Sequence, residues 1–227
     1  MAVTSEMATA PPVLVEATDA PEVVAPETTV REVVPKMAAP EIVAPETSQP
    51  GRVPRPFTAV DLDAIVDDGY RREIIEGRLI VTPSPIYRHQ DALLELGYLM
   101  KKHCPSGMRV VIAPLDWRPP TGESLQPDLM VIREEDHNPD GFQLGTPLLA
   151  VEVRSPSTAV YDETEKRSRY ESLGVIDYWM IDPAAPSVVA LHLTDGYYVE
   201  VGGATGDDTF EATTPYPVAI VPSELIR

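Results

Sequence analysis

After Phe57 the spacing of apolar residues switches repeatedly between a period of two and a period near 3.6, and each switch predicts an element. In "FTAVDLDAIVDDGY", Thr58 is placed to cap a short amphipathic helix that Gly69 would end. "YRREIIEGRLIVTPSP" alternates into a strand over residues 73–82, with Gly77 marking a turn or bulge. From Tyr87 to His103 the residues Leu93, Leu96, Leu99 and Met100 recur at helical spacing, and Pro105 stops that helix. "MRVVIAPLDW", "LQPDLMVIR" and "PLLAVEVRS" read as three strands, the last strongly buried. "STAVYDETEKRSRYESLG" reads as a helix with Ser157 or Thr158 as cap and Gly174 as stop. "VIDYWMIDP" is a further strand, and "SVVALHLTDGYYVEV" a hairpin turning at Asp195–Gly196. The order predicts a mixed central β-sheet flanked by helices, an α/β or α+β domain over residues 55–227.

The first 50 residues have a different texture, with eight prolines, no glycine, no aromatic residue, and apolar positions that are nearly all Ala or Val. Such a segment buries too little surface to offset chain entropy, so residues 1–54 are expected to form a disordered acidic arm. Within it "PEVVAPETT" and "PEIVAPETS" form a near-repeat, which reads as a duplicated low-complexity spacer or as a docking motif for a protein partner.

The formal charge of −18 over 227 residues argues against a broad basic surface for nucleic acid or anionic membrane. Any nucleic-acid site must be a local cleft in an acidic body. The single cysteine, Cys104, excludes an intrachain disulfide and a multi-cysteine zinc site, and reads as a buried thiol in a reducing compartment. "MAVTSEMATA" lacks the basic start and apolar core of a signal peptide, and no apolar run approaches the ~20 residues of a membrane span. A soluble cytoplasmic protein is expected.

The candidate chemistry begins with two misplaced charges. Asp128 and Glu152 each lie inside an apolar run that reads as a buried strand, where an ionised carboxylate needs a cation, a hydrogen-bond network or a metal. Alternation puts Glu152 and Arg154 on one face. If the two strands pair, Asp128 and Glu152 converge with Arg154 beside them, which makes a half-filled oxygen site for Mg²⁺. Such an ion acidifies a bound water and stabilises charge during phosphodiester hydrolysis. Glu73 or Glu76 is available as a third acid.

Each residue also has a structural reading. Asp128 can cap a turn, Glu152 can pair with Arg154 or Lys166, and Lys166 can pair along a helix with Asp162. Tyr170 can be core or substrate contact. His89 can be a proton shuttle or phosphate contact, or an ordinary surface or core histidine.

The series "EIIEG", "TPSPIYRH", "QPDLMVI", "EVRSPST", then Asp162, Lys166 and Tyr170, then "GVIDYWMID", resembles the PD-(D/E)XK nuclease superfamily. More narrowly, it resembles the Uma-two family of restriction-endonuclease-like proteins, over roughly residues 57–200. The resemblance implies a restriction-endonuclease-like core and a metal-dependent site that hydrolyses DNA phosphodiesters, with dimers suggested by the family. Carried over by position, Glu73, Asp128 and Glu152 would be the acidic ligands of Mg²⁺ or Mn²⁺. The third position of the ExK motif is Arg154 here, a departure from the pattern. Arginine stays protonated and stabilises an anion but does not act as a base. Lys166 matches the place from which the following helix can supply the lysine. The alternative is a catalytically silent nuclease-fold adaptor that works through its N-terminal arm.

Overall fold

The structure is a computed structural model that describes residues 41–43, 55–66, 69–155 and 162–226. Most of the expected arm, and the helix cap expected at Ser157 or Thr158, lie outside the described residues.

Thr58 opens helix α1 (Ala59–Asp63), its backbone N–H donating to Asp61 Oδ2 at 2.7 Å. The segment 73–82, where Gly77 is expected to mark a turn or bulge, is a hairpin turning there, β2 (Arg71–Ile75) and β3 (Arg78–Thr82). Glu76 at φ 50° and Gly77 at φ 75° both take the left-handed backbone of a tight turn, which reverses the chain. Strand β1 (Glu41–Val43) adds antiparallel to the outer side of β3, so these three residues of the expected arm are ordered as strand. Glu-Ile-Val supplies β-branched residues to an edge that would otherwise be open.

Helix α2 (Tyr87–His103) follows the predicted span. A six-stranded sheet then takes the order β4 (Met108–Ile112), β5 (Leu129–Arg133), β6 (Leu149–Val153), β7 (Asp177–Asp182), β8 (Ser187–Thr194) and β9 (Tyr197–Thr205). Every neighbouring pair is antiparallel except β6 and β7. That parallel pair needs a crossover, which includes a π-type turn (Asp162–Lys166) running into α3 (Arg167–Ser172). Gly174 ends α3 at φ 77°, and Asp195 and Gly196 turn the β8–β9 hairpin at φ 51° and 88°, both as the sequence predicts. A small hairpin of β10 (Phe210–Ala212) and β11 (Val218–Ile220) closes the fold.

Both faces of the large sheet are covered, which is why its central strands read as continuous apolar runs. Leu129, Val131, Leu149 and Val151 pack under Ala92, Leu96 and Met100 of α2. Met130, Ile132 and Ala150 point to the other face, against Tyr170 and Tyr178. On that face Trp117, Tyr170, Tyr178 and Tyr198 form a row with successive ring centroids 6.2, 5.3 and 5.8 Å apart. By parity Asp128 and Glu152 belong to the same face, beneath α3. The chemistry-bearing carboxylates therefore sit at the end of an aromatic core layer. No helix among the described residues is long and apolar enough to cross a membrane.

Candidate active site

The β5–β6 register pairs Leu129 with Val151. Stepping one residue along each strand sets Asp128 opposite Glu152, so the two side chains emerge on one face, as expected if these strands paired. Asp128 Oδ2 reaches across and accepts the Val153 N–H at 2.8 Å. Glu73 comes from a different sheet, on β2. It is brought in by the loop before β5, where the Gln126 N–H donates to Glu73 Oε1 at 2.8 Å. Glu73, Asp128 and Glu152 are all but fully buried.

Three buried carboxylates demand cations, and the chain supplies two. Lys166 Nζ lies 3.0 Å from Glu152 Oε1 and 3.1 Å from Glu73 Oε2. Arg71 donates to Asp128 Oδ1 at 2.8 Å and stands 3.8 Å from Glu73 Oε2, and it also donates to the Gln126 carbonyl. The cluster is thus a chain of alternating charge: Asp128, Arg71, Glu73, Lys166, Glu152. Two further groups complete it. His89 Nε2 is 3.1 Å from Asp128 Oδ2, and the Tyr170 hydroxyl donates to Glu152 Oε1 at 2.6 Å.

Protonation follows from these contacts. Burial alone would raise the Asp128 carboxyl, but Arg71, His89 and Lys166 hold it far below the ordinary carboxylate range. An ionised carboxylate only accepts, so Nε2 of His89 carries the proton in that contact. Its other ring nitrogen, Nδ1, is buried and has no partner among the described residues. Burial opposes the charge on Arg71, yet Glu73, Asp128 and Glu152 push its pKa well above the usual value. Burial, then the charges of Glu152 and Glu73, raise Tyr170 well above an ordinary phenol, so it remains a donor.

The structure thus brings Glu73, Asp128, Glu152, Lys166, His89 and Tyr170 together. It leaves Glu76 at the β2–β3 turn, largely exposed and 3.7 Å from Arg78. Of the two cations proposed from the sequence, Lys166 stands between acids, whereas Arg154 donates to Asp182 Oδ2 at 2.8 Å. The strand ends at Val153, and alternation no longer dictates where Arg154 points. Arg71 escapes the sequence reading altogether. The available signal is its parity with Glu73 on β2, which puts both on one face.

Three carboxylates make a donor set of the right kind for a hard divalent cation. Their oxygens meet cations of the chain itself, Lys166 between Glu73 and Glu152 and Arg71 between Glu73 and Asp128. Among the described residues no three His, Cys, Asp or Glu side chains converge closely enough to hold a metal ion. The donors fit in type, and metal entry requires Lys166 or Arg71 to give way.

The Asp128 end of the cluster borders a cleft. It measures about 460 Å³ and is lined by Arg71, His89, Gln126 and Asp128, together with Tyr70 and Pro114. That volume is in the range of a small-ligand site.

The sequence profile of the Uma2 family, described as "Putative restriction endonuclease", matches residues 59–221. Among curated proteins none matches the chain. Among solved structures, the fold is similar to that of "a putative nuclease belonging to DUF820 from Anabaena variabilis ATCC 29413", with a TM-score of 0.58 and 18% identity. The superposition covers 75% of this chain and 97% of that one.

Proposed function

The chain belongs to the Uma2 family of restriction-endonuclease-like proteins, and from that premise we propose that it is a metal-dependent endonuclease hydrolysing DNA phosphodiester bonds. The observation that carries this reading is the buried assembly of Glu73, Asp128, Glu152 and Lys166 beside an open cleft. A purely structural cluster of that kind is poorly rewarded, because burying ion pairs returns little stability over apolar packing.

In the proposed mechanism Glu73, Asp128 and Glu152 would hold Mg²⁺ or Mn²⁺, which when bound supplies a more acidic water and neutralises charge on the phosphoryl group. The remaining work falls to the chain. Lys166 is a buried cation with ammonium hydrogens directed at Glu73 and Glu152. Released from one of them, it can donate to a phosphoryl oxygen as negative charge grows there. Tyr170 fixes the Glu152 carboxylate from behind, and Val153 N–H with His89 fixes Asp128. These are positioning roles. His89 also lines the cleft, where its ring can contact substrate. Arg154, close in sequence and tied to Asp182, would stabilise anionic charge without acting as a base.

One observation favours a second reading, a catalytically silent binding module. Lys166 and Arg71 already compensate the acids without a metal. Cleavage of supercoiled plasmid by the purified protein separates the two, run with Mn²⁺, with Mg²⁺ and with chelator beside a D128A/E152A double variant. Metal-dependent nicking by the wild type alone supports the nuclease. No cleavage, with no calorimetric metal binding, rejects it.

A further inference from the structure

A second groove, about 410 Å³, opens beside the cleft over the candidate active site, and Tyr70 and Gln126 line both. From the character of this groove we infer that it is a nucleobase-stacking subsite, and that the substrate is DNA presenting an unpaired base next to the scissile phosphate. The inference rests on the nuclease reading and narrows its substrate.

The groove sets five aromatic or aliphatic side chains beside Arg72, Asp116, Arg118 and Gln126, and several of the apolar ones face solvent. Tyr70 is 57% exposed, Phe142 39% and Val66 84%. Large apolar side chains held in the open at a concave site mark a binding surface. The charges present do not suit phosphate. Arg118 lies in the wall, but Asp63 at 2.8 Å and Asp116 at 3.0 Å already neutralise it. Its guanidinium carbon sits over the Phe142 ring, 3.2 Å from the centroid, and Arg72 approaches the Tyr70 ring at 5.9 Å. Flat rings and an Arg118 guanidinium whose charge is already paired favour a flat uncharged guest, and a nucleobase is the flat uncharged part of DNA.

Position fixes the link to chemistry. Tyr70 directly precedes Arg71, which binds Asp128, and Gln126 donates through its backbone to Glu73. The Gln126 side chain is anchored by Nε2 to Asp116 Oδ1 at 2.6 Å, and its buried Oε1 has no partner among the described residues. A base held against Tyr70 therefore sets its own backbone phosphate at the mouth of the acidic cluster. In a regular duplex the bases are stacked on each other, so the subsite takes only one that is unpaired or extruded.

The test is equilibrium binding of a short labelled oligodeoxynucleotide by the full chain, in chelator so that no cleavage occurs. Single strand, matching blunt duplex and an abasic single strand are compared. The single strand is expected to bind at least about tenfold more tightly than either of the others, with Tyr70→Ala or Phe142→Ala lowering that affinity about tenfold and Tyr70→Phe retaining it. Thermal unfolding of each variant reports on its fold. Should an alanine variant unfold, the wild-type comparison of normal with abasic strand decides. Equal binding of single strand and duplex, indifference to abasic sites, or no DNA binding at all would overturn the subsite. Cleavage without single-strand preference removes the subsite and leaves the nuclease. Single-strand preference without cleavage keeps the subsite and removes the nuclease.

Discussion

Glu152 lies on β6 and Lys166 on the crossover that leads to β7, and their side chains meet at 3.0 Å with both groups almost wholly buried. Glu73 closes the arrangement from a separate sheet, 3.1 Å from the same ammonium. A single side chain thus compensates two buried carboxylates.

Removing that ammonium should be costly to the fold as well as to activity. Lys166→Met takes from Glu73 and Glu152 the ammonium that stands 3.1 and 3.0 Å from them, with Arg71 still 3.8 Å from Glu73. Chemical denaturation should register a loss of about 3–5 kcal/mol. Cleavage should fall at least ~100-fold. A variant of unchanged stability would show that Lys166 is not the compensating cation.

The same variant separates competition from coordination. Lys166 occupies the space between two proposed metal ligands, so calorimetric Mn²⁺ binding should tighten in Lys166→Met even as cleavage is lost. Weaker Mn²⁺ binding would show that the lysine organises the ligands rather than competing with the ion.

Tyr170→Phe deletes one hydroxyl and keeps the ring in its aromatic row. Glu152 loses the 2.6 Å donor, a hydrogen bond to a charged group worth about 1.5–3 kcal/mol. The expected result is a drop in thermal stability and a partial loss of kcat with KM unchanged. An equal loss in KM would point instead to direct substrate contact.

Glu123 gives the pH dependence. Burial pushes its carboxyl up, but Arg169, the Glu76 N–H and Thr121 outweigh burial and hold it below the usual glutamate range. A depressed folded-state pKa contributes stability that is present above the unfolded value, near ~4.3, and is lost as pH falls through the folded value. Glu123→Gln should therefore be less stable than wild type at pH 7, by on the order of 1 kcal/mol or more, with the gap closing below about pH 4. Urea titrations across that range read the effect. A gap that persists in acid would mean the loss is steric. Arg169 lies one turn after Lys166, so the same pair holds α3 in place over the cluster.

Gly77→Ala tests the hairpin. The left-handed φ of 75° disfavours any side chain, and an added Cβ would collide with Pro56. A loss of more than ~1 kcal/mol is expected from denaturant unfolding, with cleavage falling because Glu73 is carried on the same hairpin.

Much of this was legible from the sequence. Apolar runs interrupted by Asp128 and Glu152 located the sheet and the site together, because a carboxylate inside a buried strand is an anomaly that periodicity exposes. Glu73 and Glu76 stayed indistinguishable until the turn was placed, since "EIIEG" reads equally as strand or strand-plus-turn. Glu76 takes the left-handed turn position and so points away. Arg71 was invisible for another reason: an arginine opening a strand is ordinary, and only three-dimensional pairing shows it beneath two acids. Lys166 was reached by resemblance alone, as its inward aim depends on the π-type turn that no propensity scale signals. Strand β1 gave no warning within a segment whose composition reads as disorder.

The proposed acids ride on two separate sheets, with Asp128 and Glu152 on the large one and Glu73 on the β2–β3 hairpin. The hairpin lends Ile75 and Ile80 to the core on the aromatic face, whereas the core under α2 contains none of its residues. If the proposed nuclease reading holds, that division makes disarmament easy. A change at Glu73 would remove one proposed ligand while Ile75 and Ile80 of the same hairpin stay in the core, leaving a descendant for selection to put to other use.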